Sequence, residues 1–418
     1  MDLFERFKKD YFNYLVSFIL PALVTGISIP VFKRILGSDG YGNFSIWFNL
    51  SLICVAILGV WITNSILRFY AGSENKVLFI QQVITIAFIT QLFFCIPISL
   101  LIGVKSGDFL LGALIAVSIL STAIQFTIAA VSQSAFLSRK IIFLESIRVG
   151  TYLLLSLLLL LTTKMNYLYA LFIGTIISYI VSAGYLYLQI SKQIPGLKDV
   201  VYTSSNIKPL TNKFLKYGAP LSFWFAFSFL LGYIDKIFMA KNIGATVQGN
   251  YQAIFDLLSR GITILIYPVV TSLYPILTVA YEKGEIRAIK NILKKILLYE
   301  LAGFVFATVL YWLFGADLLL LILKTPNTLS YKMMGFIVIA GTFIWQMAMV
   351  IQKHFELKLK SFLMLKMVVV AFAVQFLLYI IWGNSTNEML YPLGYLLSAI
   401  VYLVLVSYSE FIVLLKKL

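Results

Sequence analysis

Four ionisable residues stand in otherwise apolar surroundings in the second half of the chain: Asp235 and Lys236 in GYIDKIFMAK, and Asp256 and Arg260 in FDLLSRG. Asp256 and Arg260 are four apart, so on a helix they share a face one turn apart and can pair. A cation inside an apolar run is suited to meet an anionic group, and a carboxyl there to carry a proton or a sodium ion. Both readings compete with a structural ion pair, and for Lys236 with a side chain that reaches toward water along its own stem. Glu145 and Arg148 in FLESIRVG are three apart and read as an ion pair at the rim of a span. Arg68 in TNSILRFYAG closes an apolar run, where it either anchors the helix end or captures an anion. Lys33 and Arg34, just after the first apolar run, are candidates to hold an anionic group.

What is missing narrows the chemistry. The one histidine, His354, lies in the charged break QKHFELKLKS, and the two cysteines, Cys54 and Cys95, lie inside apolar runs. Neither a metal site nor a disulfide framework is expected. There is no Walker A sequence and no polar stretch long enough for a nucleotidase, so no cofactor is expected. No large loop carries paired acids, which weakens a membrane glycan polymerase or ligase.

The elements that must position these residues are membrane helices. The chain has 418 residues, 61% hydrophobic and 12% charged, with mean hydropathy +0.95, far more apolar than a soluble core requires. Runs of about 20 apolar residues, the length that spans a bilayer, recur with short polar breaks. The expected fold is an all-α polytopic membrane protein with about 12 transmembrane helices. The first runs roughly from 11 to 32, the second from 43 to 66, the seventh from 217 to 239, the eighth from 249 to 277 and the ninth from 296 to 314. The first is long and no small-residue cleavage site follows it, so it reads as a retained span and not a signal peptide. Arg260 lies nine residues past Tyr251, over ~13 Å into the eighth run at 1.5 Å per residue.

With the N-terminus in the cytoplasm, the cytoplasmic segments collect 24 of the 33 lysines and arginines, which orients the chain with both termini inside. The net charge of +16 is mostly this topological bias. It is scattered over separate segments, so no nucleic-acid partner is expected.

The longest break, SKQIPGLKDVVYTSSNIKPLTNKFLK, divides the chain near its middle. The expected organisation is an N-terminal six-helix lobe over 1–190, a cytoplasmic linker over 191–216 and a C-terminal six-helix lobe over 217–418. A shift of 207 positions lays LGSDGYGNFSIWFNL over IGATVQGNYQAIFDL, with Gly37 on Gly244, Gly42 on Gly249, Asn43 on Asn250, Phe48 on Phe255 and Leu50 on Leu257. Both copies fall between the first and second span of their half, as a duplicated unit requires. Gly37 and Gly42 are read as marking that turn. SDGYG lacks the Lys-Ser/Thr ending of a nucleotide loop, so a phosphate cradle is not expected.

Twelve spans with both ends inside, a six-plus-six duplication, LGSDGYGNFS with its echo IGATVQGNYQ, and ILRFYAG closing span two together resemble the Wzx-type polysaccharide biosynthesis flippases. These belong to the multidrug/oligosaccharidyl-lipid/polysaccharide (MOP) exporter superfamily. The resemblance implies a MATE-like fold, two six-helix lobes in a V around a cavity lined by spans one, two, seven and eight. It implies passage of an undecaprenyl-diphosphate-linked oligosaccharide from the cytoplasmic to the outer leaflet of the bacterial inner membrane by alternating access, coupled to H+ or Na+, for O-antigen or capsule synthesis. A polysaccharide polymerase and a chain-length regulator are the implied protein partners. Arg68 and Arg260 then fit the basic cavity role, Asp235 and Asp256 coupling or pairing, and Trp61, Asn64, Trp224 and Tyr267 contacts with sugar. Alternatives are a multidrug exporter of the same superfamily, which predicts a more acidic cavity, and an enzyme of glycan polymerisation or ligation.

Overall fold

The computed structural model describes residues 3–70, 72–135, 138–194, 197, 207–358, 360–382 and 385–415. Among them the chain is helical, with no strand: α1 (Leu3–Phe69), α2 (Lys76–Ser106), α3 (Phe109–Ser134), α4 (Ser138–Thr162), α5 (Tyr167–Gln193), α6 (Ile207–Leu231), α7 (Ile234–Asn242), α8 (Ala245–Glu282), α9 (Ile286–Leu310), α10 (Ala316–Ile322), α11 (Leu329–Leu357), α12 (Ser361–Trp382) and α13 (Leu390–Leu415). Several starts carry a side-chain cap that satisfies an orphan amide. Asn75 accepts from Leu78 N at 3.0 Å, Asp108 from Leu111 N at 3.0 Å, and Asn166 from Leu168 N at 3.0 Å.

Ten of these stretches are long and apolar enough to cross a membrane. Large apolar side chains such as Phe93, Leu101, Leu161, Phe306 and Leu321 stay exposed on them, as a surface in contact with lipid tails does. The protein is a multi-pass membrane protein. One stretch, Leu23–Phe69, holds 47 residues, and Gly37 (φ 71, ψ 176) divides α1 into two helices. Another, Arg287–Ile322, carries the ninth span past its expected end at 314. A π-helical turn, Tyr311–Gly315, joins α9 to α10 there. Tyr311 donates to Lys332 O at 2.8 Å and ties the turn to α11. A wider turn of this kind leaves no mark in hydropathy.

By its internal contacts the chain forms two compact units, residues 1–46 with 230–418, and residues 47–229. These units do not coincide with the two halves of the sequence. The first holds the second copy of the repeated motif whole and the first copy as far as Ile46. Gly37 and Gly244 both have left-handed φ, 71° and 122°, a conformation that costs glycine little. Each is the break before its following helix. Gly42 and Gly249 are different: both lie inside helices and meet each other. A β-carbon on Gly42 would sit 3.0 Å from Gly249 Cα. One on Gly249 would land on the Ser38 carbonyl oxygen and 2.6 Å from its carbon. Gly42 is therefore a helix-crossing contact and not part of the turn. Asn250, beside it, accepts from Ser38 Oγ at 2.8 Å and donates to Tyr331 OH at 3.1 Å, fastening α8 to α1 and α11.

The second unit is built on α2, α3, α4, α5 and the chain before and after them. Its core gathers Ile62, Ile66, Ile80, Val83, Leu144, Leu186 and Phe214. Gly218 lies against the α1 backbone, where a β-carbon would stand 2.6 Å from Trp61 Cα.

Candidate functional site

In the first unit, α6 ends at Leu231 and α7 begins at Ile234, with a two-residue break at Gly232 and Tyr233. The break places Asp235 in the first turn of α7, where a negative charge suits the helix dipole. Asp235 and Lys236 are both fully buried. Asp235 accepts from Tyr251 OH at 2.8 Å and from Lys236 N at 2.8 Å. The Lys236 ammonium lies 3.5 Å from the Asp235 carboxylate, donates to the Gly232 carbonyl and stands 3.4 Å from the centre of the Phe255 ring. The helix break thus frees the carbonyl that holds the lysine. Lys236 turns inward; its stem does not lead its charge to the surface.

A second pair lies on α8. The Asp256 carboxylate accepts from Tyr41 OH at 2.7 Å, on α1, and from Gln252 Nε2 at 2.9 Å, and pairs with Arg260 at 3.3 Å. Arg260 keeps 41% of its side chain exposed while Asp256 keeps 9%. The structure therefore gathers Asp235, Lys236, Asp256 and Arg260 around Tyr251 and Phe255, in a cluster of two acids and two bases. Phe255 belongs to the repeated motif, and its role against Lys236 has no signal in the sequence beyond that recurrence.

Lys33 and Arg34 lie elsewhere in this unit. Lys33 is buried and donates to Leu323 O at 2.8 Å and to Thr325 Oγ1; Arg34 donates to Ile322 O at 3.0 and 3.2 Å. Both satisfy carbonyls at the end of α10 that have no helical partner. Their hydrogen bonds are thus taken up by the chain itself. Tyr267 lies on α8 with its side chain outside the described residues.

In the second unit, Trp61 and Trp224 are buried, Arg68 is exposed, and Asn64 donates to Val60 O at 3.1 Å along its own helix. Glu145 and Arg148 pair at 2.7 Å, and Gln125 donates to Glu145 at 3.0 Å and to Ser182 at 3.3 Å. Arg148 stands 4.7 Å from the centre of the Tyr179 ring. This polar network joins α3, α4 and α5.

Outside the spans, the Asp108 carboxyl at the start of α3 is held below the usual carboxylate range, first by the Tyr169 hydroxyl at 2.6 Å and then by the Leu111 amide. That link fastens the start of α5 to the α2–α3 turn.

Residues 7–281 match the protein family described as "Polysaccharide biosynthesis protein". Among solved structures, a mutant of the MATE transporter VcmN of Vibrio cholerae is similar over 98% of each chain, at 14% identity and TM-score 0.73. A multidrug resistance MATE family transporter of the MOP superfamily, in an inward-facing conformation, covers 96% of each chain at 14% identity and TM-score 0.69. A MOP superfamily transporter from Pyrococcus furiosus is similar over 96% of this chain and 94% of its own, at 13% identity and TM-score 0.70; the report of that structure describes a binding pocket of reversed polarity. At such identities the likeness shows the fold, which is MATE-like. No curated protein is similar enough in sequence to match.

Proposed function

The chain belongs to the polysaccharide biosynthesis protein family, and from that premise we propose that it flips an undecaprenyl-diphosphate-linked oligosaccharide from the cytoplasmic to the outer leaflet of the bacterial plasma membrane. It does so by alternating access, coupled to a proton or sodium gradient, with twelve spans in two six-helix lobes and both termini in the cytoplasm. The observation that carries this reading is the family match over residues 7–281 in a chain with a MATE-like transporter fold.

The physical scheme is economical. A diphosphate cannot cross hydrocarbon alone, because an unpaired charge in a low dielectric is prohibitively costly, whereas a polyprenyl tail is at home in lipid. A transporter needs only to pair and hydrate the head while the tail stays outside. No covalent chemistry is required, and the chain acts as a transporter. Arg260 supplies the cation, since its guanidinium is anchored on Asp256 and 41% of its side chain is exposed. Arg68 is a second basic contact, and Asn64 and Tyr267 meet the glycan, whereas Trp61 and Trp224 are buried in the second unit.

The test is leaflet-specific. In cells lacking the gene, lipid-linked oligosaccharide accumulates on the cytoplasmic side and a periplasmic ligase finds no substrate; restoring the wild-type chain reverses both. Normal oligosaccharide export in the null strain, with no other flippase present, rejects the reading.

A further inference from the structure

The mechanism described so far leaves one buried acid without a task. Glu300 lies on α9, five residues beyond Lys295 and inside the apolar stretch Arg287–Ile322. It falls on the buried face of the helix with Ile289, Ile292 and Ile296, while Leu298, Tyr299 and Leu301 beside it are exposed. Glu300 itself is only 5% exposed, and neither of its carboxylate oxygens has a hydrogen-bond partner. Among the described residues no lysine or arginine pairs with it.

The surroundings explain why. α9 packs against α11 and α8. A β-carbon on Gly303 would stand 3.6 Å from the Phe343 ring, and the Phe304 and Phe343 rings are 5.5 Å apart, which sets the α11 residues near Phe343 and Gln346 at the level of Glu300. α11 has no ionisable residue between Lys332 and Lys353, and those two are paired with Asp317 and Glu356. On α8 the charged groups are Asp256 and Arg260, paired with each other. Beyond them α8 carries as titratable residues only Tyr267, Tyr274, Tyr281 and its last residue, Glu282, whose side chains lie outside the described residues. On α9 itself Arg287, Lys290, Lys294 and Lys295 precede the apolar run, Tyr299 is exposed, and Tyr311 is engaged with Lys332 O.

An ionised carboxylate with no partner in a low dielectric neutralises rather than persists. Glu300 is accordingly a carboxylic acid in this conformation. A group that bonds nothing also contributes nothing to the fold that a leucine would not contribute better. An acid kept under those conditions is suited to bind a proton in one conformation and release it in another.

We propose that Glu300 is a proton-binding site of the transport cycle, neutral in the conformation described and ionised when α9 shifts against α8 and α11 and brings the carboxyl to water or to a cation. What the proton drives rests on the flippase reading; that the site binds a proton does not. The proton is the only species exchanged: the carboxyl gives it up as the carboxylate forms and takes it back in return.

The first experiment needs no substrate. The full chain in lipid nanodiscs is treated with dicyclohexylcarbodiimide, across whose C=N bond the O–H of a protonated carboxyl in apolar surroundings adds, the O-acylisourea then rearranging to a stable N-acylurea, and labelled peptides are mapped by mass spectrometry. Glu300 is expected to be labelled, less so as pH rises, and Glu300→Gln, checked for folding by its thermal transition, is expected to lose that adduct. Absence of label at Glu300 overturns the proposal, and so does labelling blocked by sodium at constant pH, which would make the ligand a metal cation. The second experiment uses vesicles with a lipid-linked oligosaccharide. A one-unit pH gradient shifts its steady-state distribution about tenfold per coupled proton, and Glu300→Gln is expected to show no shift while still equilibrating the lipid. A Glu300→Gln protein that keeps the shift overturns the coupling role. If the wild-type chain moves no lipid at all, the flippase reading fails and the labelling result stands by itself.

Discussion

Replacing Gly249 with alanine tests the contact on which the two copies of the repeated motif depend. The added β-carbon would fall on the Ser38 carbonyl oxygen and 2.6 Å from the carbonyl carbon, where unstrained carbon contacts need about 3.5–4.0 Å. The obstacle is main chain on both sides, so no rotamer relieves it, and the helices must part by roughly 1 Å. Overpacking of this kind costs about 1–3 kcal/mol. The same movement stretches the 2.8 Å bond from Ser38 to Asn250 out of range, which adds about 1 kcal/mol. A loss of roughly 2–4 kcal/mol is expected, set against a typical stability of about 5–15 kcal/mol. The assay is the thermal transition of the purified chain in detergent, where 1 kcal/mol moves Tm by about 2–4 °C for a cooperative unit of some 150–250 residues. Gly261→Ala is the control: it lies on the same helix with nothing near its β-carbon, and helix propensity makes it neutral or slightly stabilising. If Gly249→Ala melts within a degree of the wild type, the crossing is not as close as described and the reasoning fails.

Asp235→Asn leaves Lys236 buried without its countercharge and is expected to cost about 3–5 kcal/mol, whereas adding Lys236→Met recovers most of the loss; additive effects in a double-mutant cycle would show that the two do not act as a pair. Arg260→Ala removes a charge-assisted contact of about 1.5–3 kcal/mol, so translocation measured at normal expression is expected to fall roughly tenfold to a hundredfold, with Arg260→Lys retaining part; full transport by the alanine variant would exclude Arg260 from recognition. The Asp108 carboxyl is lowered in the folded state, so its contribution is complete above the ordinary carboxylate range and is lost as pH falls through the folded value. Tyr169→Phe raises that folded value and is expected to move the acid limb of the stability profile to higher pH; melting curves from neutral to acidic pH that superimpose with the wild type's would count against it.

The repeated motif shows how far the sequence is legible. Gly37 and Gly244 read as a duplicated break because a left-handed residue between helices calls for glycine, and both have that conformation. Gly42 and Gly249 read the same way on the page, yet their constraint is space: the neighbour that needs their missing β-carbon is more than 200 positions away. Asp256 and Arg260 were legible as a local pair, since helical spacing alone determines it. The inward turn of Lys236 was not, because it depends on the break at Gly232 and Tyr233 within a stretch that is apolar on every side. A membrane helix facing lipid and one facing protein are both apolar, so hydropathy does not tell which side of α7 is inside. Glu300 was not singled out in the sequence, because what sets it apart, the lack of any partner, is a property of α8 and α11.

Gly42 and Gly249 have one more consequence. If the two halves arose from one gene, these glycines descend from one residue, and in a dimer of separate halves that residue would have met its own copy, as self-complementary twofold interfaces require. Any substitution would then have struck both sides of the contact at once. In a single chain each side can vary alone, and Tyr41 and Gln248, which stand at matching positions just before the two glycines, already differ. Fusion would thus have turned a symmetric seam into one whose two sides can be tuned separately.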